Sequence, residues 1–150
     1  AEPDAVVLGD AGHHFNFEAL NRVFRLLMQG LPFIVMARNR HFMEIDGLTL
    51  DMGAFVAGLE YSSGKTAEVV GKPAITFFRT ALDELGIAPE QAVLIGDDLA
   101  DDIGGAQAAG IPGILVRTGK YRTTDEDHPL IRPSLTLDDF PAAVGRLLGG

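Results

Sequence analysis

Ala92-Val93-Leu94-Ile95-Gly96-Asp97-Asp98-Leu99-Ala100-Asp101-Asp102 decides the fold. Its first four residues are apolar, and two are β-branched, which reads as a buried strand. Gly96 breaks the run, and four aspartates follow within six residues. Gly104 and Gly105 then lead into Ala106 to Gly110, a short helix closed by its glycine. The acids therefore stand where a core strand hands over to a helix. In open α/β sheets, ligands bind just beyond the carboxyl ends of strands. No Lys or Arg occurs between Arg79 and Arg117 to neutralise these carboxylates locally. Crowded carboxylates raise a pKa or recruit a cation. Hard oxygen donors beside a phosphate suit Mg²⁺, which takes one or two carboxylates and keeps several waters. Asp97 ends the strand and reads as the metal ligand. Asp101 and Asp102 read equally well as caps that favour the dipole of the following helix.

Working outward, strands and helices alternate. Ala5 to Leu8 reads as a short strand ending at Gly9-Asp10. Asn16 caps a helix in which Phe17, Leu20, Phe24, Leu27 and Met28 recur at helical spacing as a core stripe, and Gly30 ends it. Pro32 to Ala37 reads as a second strand, and Arg38 to Asp46 as a polar, basic loop. Phe55, Val56 and Leu59 mark a short helix, and Ala67 to Val70 a third strand closed by Gly71. Pro73 opens a helix with Phe77, Phe78, Ala81, Leu82 and Leu85 expected inward. After the acidic turn come a strand at Gly113 to Val116, a polar, turn-rich stretch from Thr118 to Pro133, and a last helix from Asp138 to Leu148. The pattern predicts an α/β fold with a parallel sheet and helices on both faces. Gly71 is the expected boundary between two parts.

The totals agree. The chain has 150 residues, 47% hydrophobic and 22% charged, which is ordinary globular composition with room for a modest core. A net charge of −9 argues against nucleic acid or an anionic membrane as partner, because both select basic surface. Cysteine is absent, so there is no disulfide and no thiolate zinc site. No signal peptide and no apolar run long enough to span a bilayer is present, and the expected location is cytoplasmic. The first residue is not Met, and Ala1 stands only a few residues before a strand, as in a processed or truncated chain.

Lys72 sits just past a strand and at the mouth of a helix. There it reads either as a solvated lysine or as a point charge for a phosphate. The acidic turn one strand–helix unit later favours the phosphate: together they provide a cation, an anion cluster and room for Mg²⁺ between them. Ser62-Ser63-Gly64-Lys65-Thr66 looks like the end of a P-loop, but Leu59 stands where that pattern needs glycine. Gly104 to Gly110 lacks dinucleotide-fingerprint spacing. His13-His14, with no third ligand nearby, read as solvated surface. Arg38, Arg40 and His41 read as an exposed charged loop or as contacts for an anionic substrate. Arg117, Lys120 and Arg122 read as residues that cap and pair locally.

Val70-Gly71-Lys72-Pro73, then Phe77-Phe78, then Ile95-Gly96-Asp97-Asp98 with Asp102-Ile103-Gly104-Gly105-Ala106-Gln107, and finally Ile114 to Arg122, resemble one family. It is the haloacid dehalogenase (HAD) superfamily of phosphatases, and within it the phospholysine phosphohistidine inorganic pyrophosphate phosphatase-like subgroup with a large C2-type cap. The resemblance runs over nearly the whole chain. It implies a partial Rossmann-like HAD core over residues 71–150 and most of an α/β cap over residues 1–70. It implies Mg²⁺-dependent hydrolysis of a small phosphorylated substrate through an aspartyl-phosphate. Lys72 would steady the nucleophile and the phosphoryl oxygens. Asp97 would bind Mg²⁺ directly and Asp102 through water, and whether Asp98 touches the metal stays open. Arg38, Arg40 and His41 would lie in a substrate-selecting loop, and the cap could pair two copies as a homodimer.

One departure bears on activity. The family opens with an Asp-x-Asp pair after a buried strand, and its first Asp is the nucleophile. Asp10 ends a strand, but Gly12 stands where its partner belongs; Asp125-Glu126-Asp127 has the spacing, but no buried strand precedes it. The chain is thus expected to be inactive alone. Two other readings stay open. A receiver-like signalling module also uses acids, Mg²⁺ and a Lys-Pro pair, although receivers place the acids before the lysine. A non-catalytic binding or assembly module is the other.

Overall fold

The computed structural model describes residues 2–149 and divides into two units, Ala1–Gly71 and Lys72–Gly150.

In the first unit, β1 (Val6–Leu8), β2 (Phe33–Val35) and β5 (Glu68–Val69) form a parallel sheet in the order β1-β2-β5. The register sets Val6 beside Phe33 and Val35 beside Val69. Two helices bracket the antiparallel hairpin β3 (His41–Glu44) and β4 (Gly47–Leu50): α1 (Phe17–Met28) before it and α2 (Gly53–Ser63) after it. The Asn16 side chain accepts the Ala19 N–H at 3.0 Å, so the expected cap is in place. Leu27, Val35 and Val56 are fully buried, with Val6, Leu8, Phe33 and Leu59 around them. Each such side chain contributes roughly 1.5–3 kcal/mol by leaving water.

Two expectations fail in this unit. The stripe on α1 is only partly core: Leu27 is buried, but Phe17 is 83% and Met28 57% exposed. The cause lies on α2, where Ala54, Gly58 and Ser62 face Phe17, Leu20 and Phe24 across an open groove of about 350 Å³ and are too small to cover them. The Arg38 to Asp46 stretch is not wholly loop, since His41–Glu44 pairs residue for residue with Gly47–Leu50. Only Ile45 and Asp46 separate the two strands, so a tight turn closes the hairpin. The hydrogen bond from Thr49 Oγ1 to Glu44 Oε2, 2.9 Å, adds a cross-strand tie.

In the second unit, β6 (Leu94–Gly96), β7 (Gly113–Val116) and β8 (Leu135–Leu137) form a parallel sheet in that order. β7 is buried throughout, as befits a central parallel strand. α3 (Ile75–Leu85) and α4 (Gly105–Ala108) pack through Phe78, Leu82, Ala106 and Ala109, while α5 (Phe140–Leu147) lays Ala143 on Ile114 and Val116. The inward face of α3 is narrower than expected. Phe78 and Leu82 are buried, but Ala81 is exposed, and Phe77 and Leu85 are 44% and 69% exposed. Successive helical residues point about 100° apart, so Phe77 cannot share the pocket of Phe78 and meets it edge-on, ring centroids 5.2 Å apart. β8 was not anticipated: it falls in the short gap between the polar stretch that ends at Pro133 and the last helix, and its three residues are too few to stand out as a strand. Among the described residues no helix is long and apolar enough to cross a membrane.

Candidate active site

The acidic stretch folds as expected up to Gly96 and then departs from a simple turn. β6 ends at Gly96, and Leu99–Gly104 winds as a π-helical turn that runs into α4. Such wide turns recur at functional sites. Asp98, not Asp101 or Asp102, caps it: Asp98 Oδ1 accepts the N–H groups of Ala100 and Asp101, both at 3.0 Å. The capping reading of Asp101 and Asp102 therefore passes to their neighbour.

Asp102 is the only polar or charged residue in the buried class, 5% exposed, among the described residues. Its Oδ1 accepts Lys72 Nζ at 2.6 Å, and its Oδ2 accepts the Asp98 N–H at 3.2 Å. A buried carboxylate needs such partners, since an unpaired charge out of water is costly. Gly96 makes room for it: a Cβ at Gly96 would overlap the Asp102 carboxyl group. Lys72 lies at the start of its unit, with its side chain 45% exposed, and its peptide bond to Pro73 is cis.

Asp97 is half-buried beyond the end of β6. Its Oδ2 accepts the main-chain N–H of Lys120 at 2.9 Å, and the Lys120 ammonium donates to Asp98 Oδ2 at 3.0 Å. Lys120 was expected to pair locally. It instead reaches across the sheet edge to an acid 22 residues earlier, because the loop after β7 emerges beside the end of β6. Arg117 likewise spans distance, to Glu126 at 3.0 Å and Asp138 at 2.9 Å.

The charges respond to this arrangement. Burial works to raise the Asp98 pKa, but the Asp101 N–H and Lys120 outweigh it and hold the carboxyl below its ordinary value. Asp101 is pushed up, first by burial and then by the charges of Asp98 and Asp102. Burial works to lower the Lys120 pKa, but its bond to Asp98 and the nearby acids leave it above the ordinary lysine value.

Among the described residues no three Asp, Glu or His side chains are grouped to hold a metal ion. Asp98 and Asp102 spend both oxygens on hydrogen bonds within the chain. Asp97 Oδ2 is taken by Lys120, which leaves Oδ1 for a cation. One free carboxylate oxygen at a strand's carboxyl end fits Mg²⁺, which needs only one or two protein carboxylates. This chain's donors therefore fit as part of a coordination sphere.

The other candidates lie in the first unit. Arg38 is ion-paired with Glu60 on α2, and Glu60 in turn accepts the Ala67 N–H at 2.9 Å. Arg40 and His41 are exposed at the start of the hairpin. His13 and His14 occupy a short exposed 3₁₀ turn, rings 4.2 Å apart. Asp10 closes a local turn by accepting the Gly12 N–H at 3.0 Å, and Asp125 to Asp127 lie in a 3₁₀ turn after Arg122. Asp10 follows β1 but has Gly12 where the second acid of an Asp-x-Asp pair belongs, and no strand leads directly into Asp125 to Asp127.

Residues 69–143, the segment that holds Lys72, the aspartates and Lys120, match the HAD-hydrolase-like family model. The chain belongs to the HAD-like hydrolase family. It is 51% identical over 148 residues to haloacid dehalogenase-like hydrolase domain-containing protein 2 of Bos taurus, covering 99% of this chain and 57% of that protein. It is 45% identical over 151 residues to phospholysine phosphohistidine inorganic pyrophosphate phosphatase of Danio rerio, covering 99% and 56%. The HAD fold is shared with 4-nitrophenylphosphatase from Thermotoga maritima, TM-score 0.86 at 26% identity, over 95% of this chain and 54% of that one. It is shared too with glycerol phosphate phosphatase from Mycobacterium tuberculosis in complex with magnesium, TM-score 0.82 at 27% identity, over 93% and 42%. This HAD-like chain thus spans a little over half the length of the curated relatives it matches.

Proposed function

We propose that this HAD-like chain supplies the lysine and acidic half of a Mg²⁺-dependent phosphatase site and does not turn over by itself. The observation that carries the reading is the convergence of Lys72, Asp97 and Asp102 around the carboxyl end of β6. Lys72 Nζ is bound to buried Asp102, whose other oxygen holds the Asp98 N–H just beyond Asp97.

In this reading residues 71–150 are the C-terminal half of the catalytic core and residues 1–70 most of the cap. Asp97 Oδ1 would hold Mg²⁺, which supplies Lewis-acid stabilisation of the phosphoryl oxygens when bound. Lys72 places a positive charge, oriented by Asp102, where negative charge builds on the transferring group. Asp102 keeps that ammonium from swinging into solvent. The nucleophilic aspartate, which would split one hard displacement into two easier ones, comes from outside this chain. Arg38 is already engaged by Glu60, so selection of an anionic substrate falls chiefly to Arg40 and His41. The substrate class is a small phosphoester, phosphoramidate or pyrophosphate. The named phosphatases among the relatives and fold neighbours support it.

The test joins the chain to the segment of the bovine relative that it does not span. With p-nitrophenyl phosphate, a phosphoramidate and pyrophosphate, each with Mg²⁺, the joined protein hydrolyses at least one, and Lys72→Met or Asp97→Asn abolishes it. A folded joined protein inert on all three overturns the phosphatase reading. Robust hydrolysis by the 150-residue chain alone, abolished by Asp97→Ala, overturns the claim that the chain lacks its nucleophile.

A further inference from the structure

Thr118–Tyr121 crosses the end of the sheet and touches Asp97 and Asp98 just after β6, although the bonded residues stand 23 and 22 positions apart in the chain. Three features fix it there. The Lys120 N–H donates to Asp97 Oδ2 at 2.9 Å, and the Lys120 ammonium donates to Asp98 Oδ2 at 3.0 Å. Gly119 adopts φ +49°, and a Cβ on it would collide with Asp97 Oδ2, so the main chain lies flat against that carboxylate. The Tyr121 N–H closes the turn onto the Thr118 carbonyl at 3.0 Å, and the Tyr121 ring packs with Leu99, Ile103 and Leu115. Asp98 is itself held while it binds the ammonium, because its other oxygen accepts the Ala100 and Asp101 N–H groups and caps the π-helical turn.

We propose that Lys120 is a positioning residue for Asp97: its ammonium clamps the 118–121 turn to Asp98, so that its own N–H holds Asp97 Oδ2 and fixes the carboxylate in one rotamer with Oδ1 kept for the cation. The cation part of this inference rests on the metal role given to Asp97 above; the rotamer part does not. A side chain that orients a ligand from outside the coordination sphere typically changes metal affinity by 10–100-fold. The ammonium and the N–H act on different acids, so a side-chain substitution tests the clamp without deleting the bond that the clamp serves.

The experiment uses the labelled 150-residue chain in solution, first without metal. The Lys120 amide is expected to be protected from hydrogen exchange, and Asp97→Ala to release it. Three-bond couplings are expected to report one χ1 rotamer for Asp97. Lys120→Met averages those couplings, Lys120→Arg restores them, and Gly119→Ala displaces the rotamer with the ammonium intact. Unchanged amide shifts at Ile114–Val116 and Leu135–Leu137 certify the sheet in each variant. An unprotected Lys120 amide in the unsubstituted chain, or wild-type Asp97 couplings in a folded Lys120→Met, overturns the proposal. Mn²⁺ is then titrated while the Asp97 carboxyl resonance is followed. Its broadening midpoint is expected to rise roughly tenfold or more in Lys120→Met. No broadening at Asp97 alongside a single, Lys120-dependent rotamer removes the metal reading and keeps the clamp. Equal midpoints in the two chains overturn the cation part of the proposal, that the clamp keeps Oδ1 for the metal.

Discussion

Asp102 shows how one buried charge organises its neighbours. It is 5% exposed, and its two oxygens are served by one ammonium and one amide. Lys72→Met leaves the carboxylate buried with the Asp98 N–H alone. Removing one partner of a fully buried pair is strongly destabilising, but the Lys72 side chain is 45% exposed and water reaches the pair. The expected loss is therefore about 1–3 kcal/mol, read as a lower urea midpoint at unchanged slope. Gly96→Ala attacks the same contact from the other side. Its methyl group would overlap the Asp102 carboxyl, so it costs a similar ~1–3 kcal/mol and displaces Asp102 from Lys72. If Gly96→Ala unfolds at the wild-type midpoint, the close approach of strand end and carboxylate is wrong.

At the scale of elements, the strap from Arg117 to Glu126 is tied by a phenol rather than by apolar packing alone. The Tyr121 hydroxyl donates to Glu126 Oε1 at 2.7 Å, and Arg117 Nε donates to the same oxygen at 3.0 Å. That bond to Glu126 raises the Tyr121 pKa above its ordinary value of 10.0, and the Tyr121 hydroxyl and Arg117 together hold Glu126 below 4.5. The signs set a window. A raised phenol stabilises the fold below pH 10.0 and loses that contribution as pH rises through its folded value; a lowered carboxyl contributes above pH 4.5 and loses it as pH falls through its folded value. In a Tyr61→Phe background, the tyrosinate absorbance of Tyr121 should have its midpoint above pH 10.0, and Glu126→Gln should bring that midpoint back down. Identical titrations in both proteins sink the assignment. This strap also marks the limit of what the sequence discloses. Strong local signals, such as Ala92 to Ile95 before Gly96 or Asn16 before its helix, were legible because a strand or a cap is decided by adjacent residues. The role of Lys120 was not, since its partners are brought to it by β-sheet register rather than by spacing. The hairpin at His41–Leu50 carried a signal of its own, Asp46-Gly47 between Phe42-Met43 and Leu48-Thr49-Leu50, which the basic residues Arg38 and Arg40 just before it masked, and exposed Phe17 was hidden by the small side chains of a helix more than thirty residues away.

For the whole molecule, each unit draws its core from its own residues. Leu27, Val35 and Val56 are fully buried in the first, Ile103, Ile114 and Leu115 in the second. Leu27→Ala and Leu115→Ala are each expected to cost about 2–5 kcal/mol, but in different places. Leu27→Ala should speed amide exchange through β1, β2 and β5, and Leu115→Ala through β6, β7 and β8. Exchange that rises uniformly across all 150 residues in either variant contradicts this division. A last consequence belongs to β6. Among the described residues it pairs with β7 and with no strand on its other flank, and the residues leading into it carry no charge. The very ribbon that delivers the aspartates is thus a border left unguarded, open to recruiting a stranger's backbone. A single lysine there should act as a gatekeeper: Val93→Lys, at a position already 38% open to water, is expected to slow concentration-dependent scattering of the purified chain while its circular dichroism stays the same.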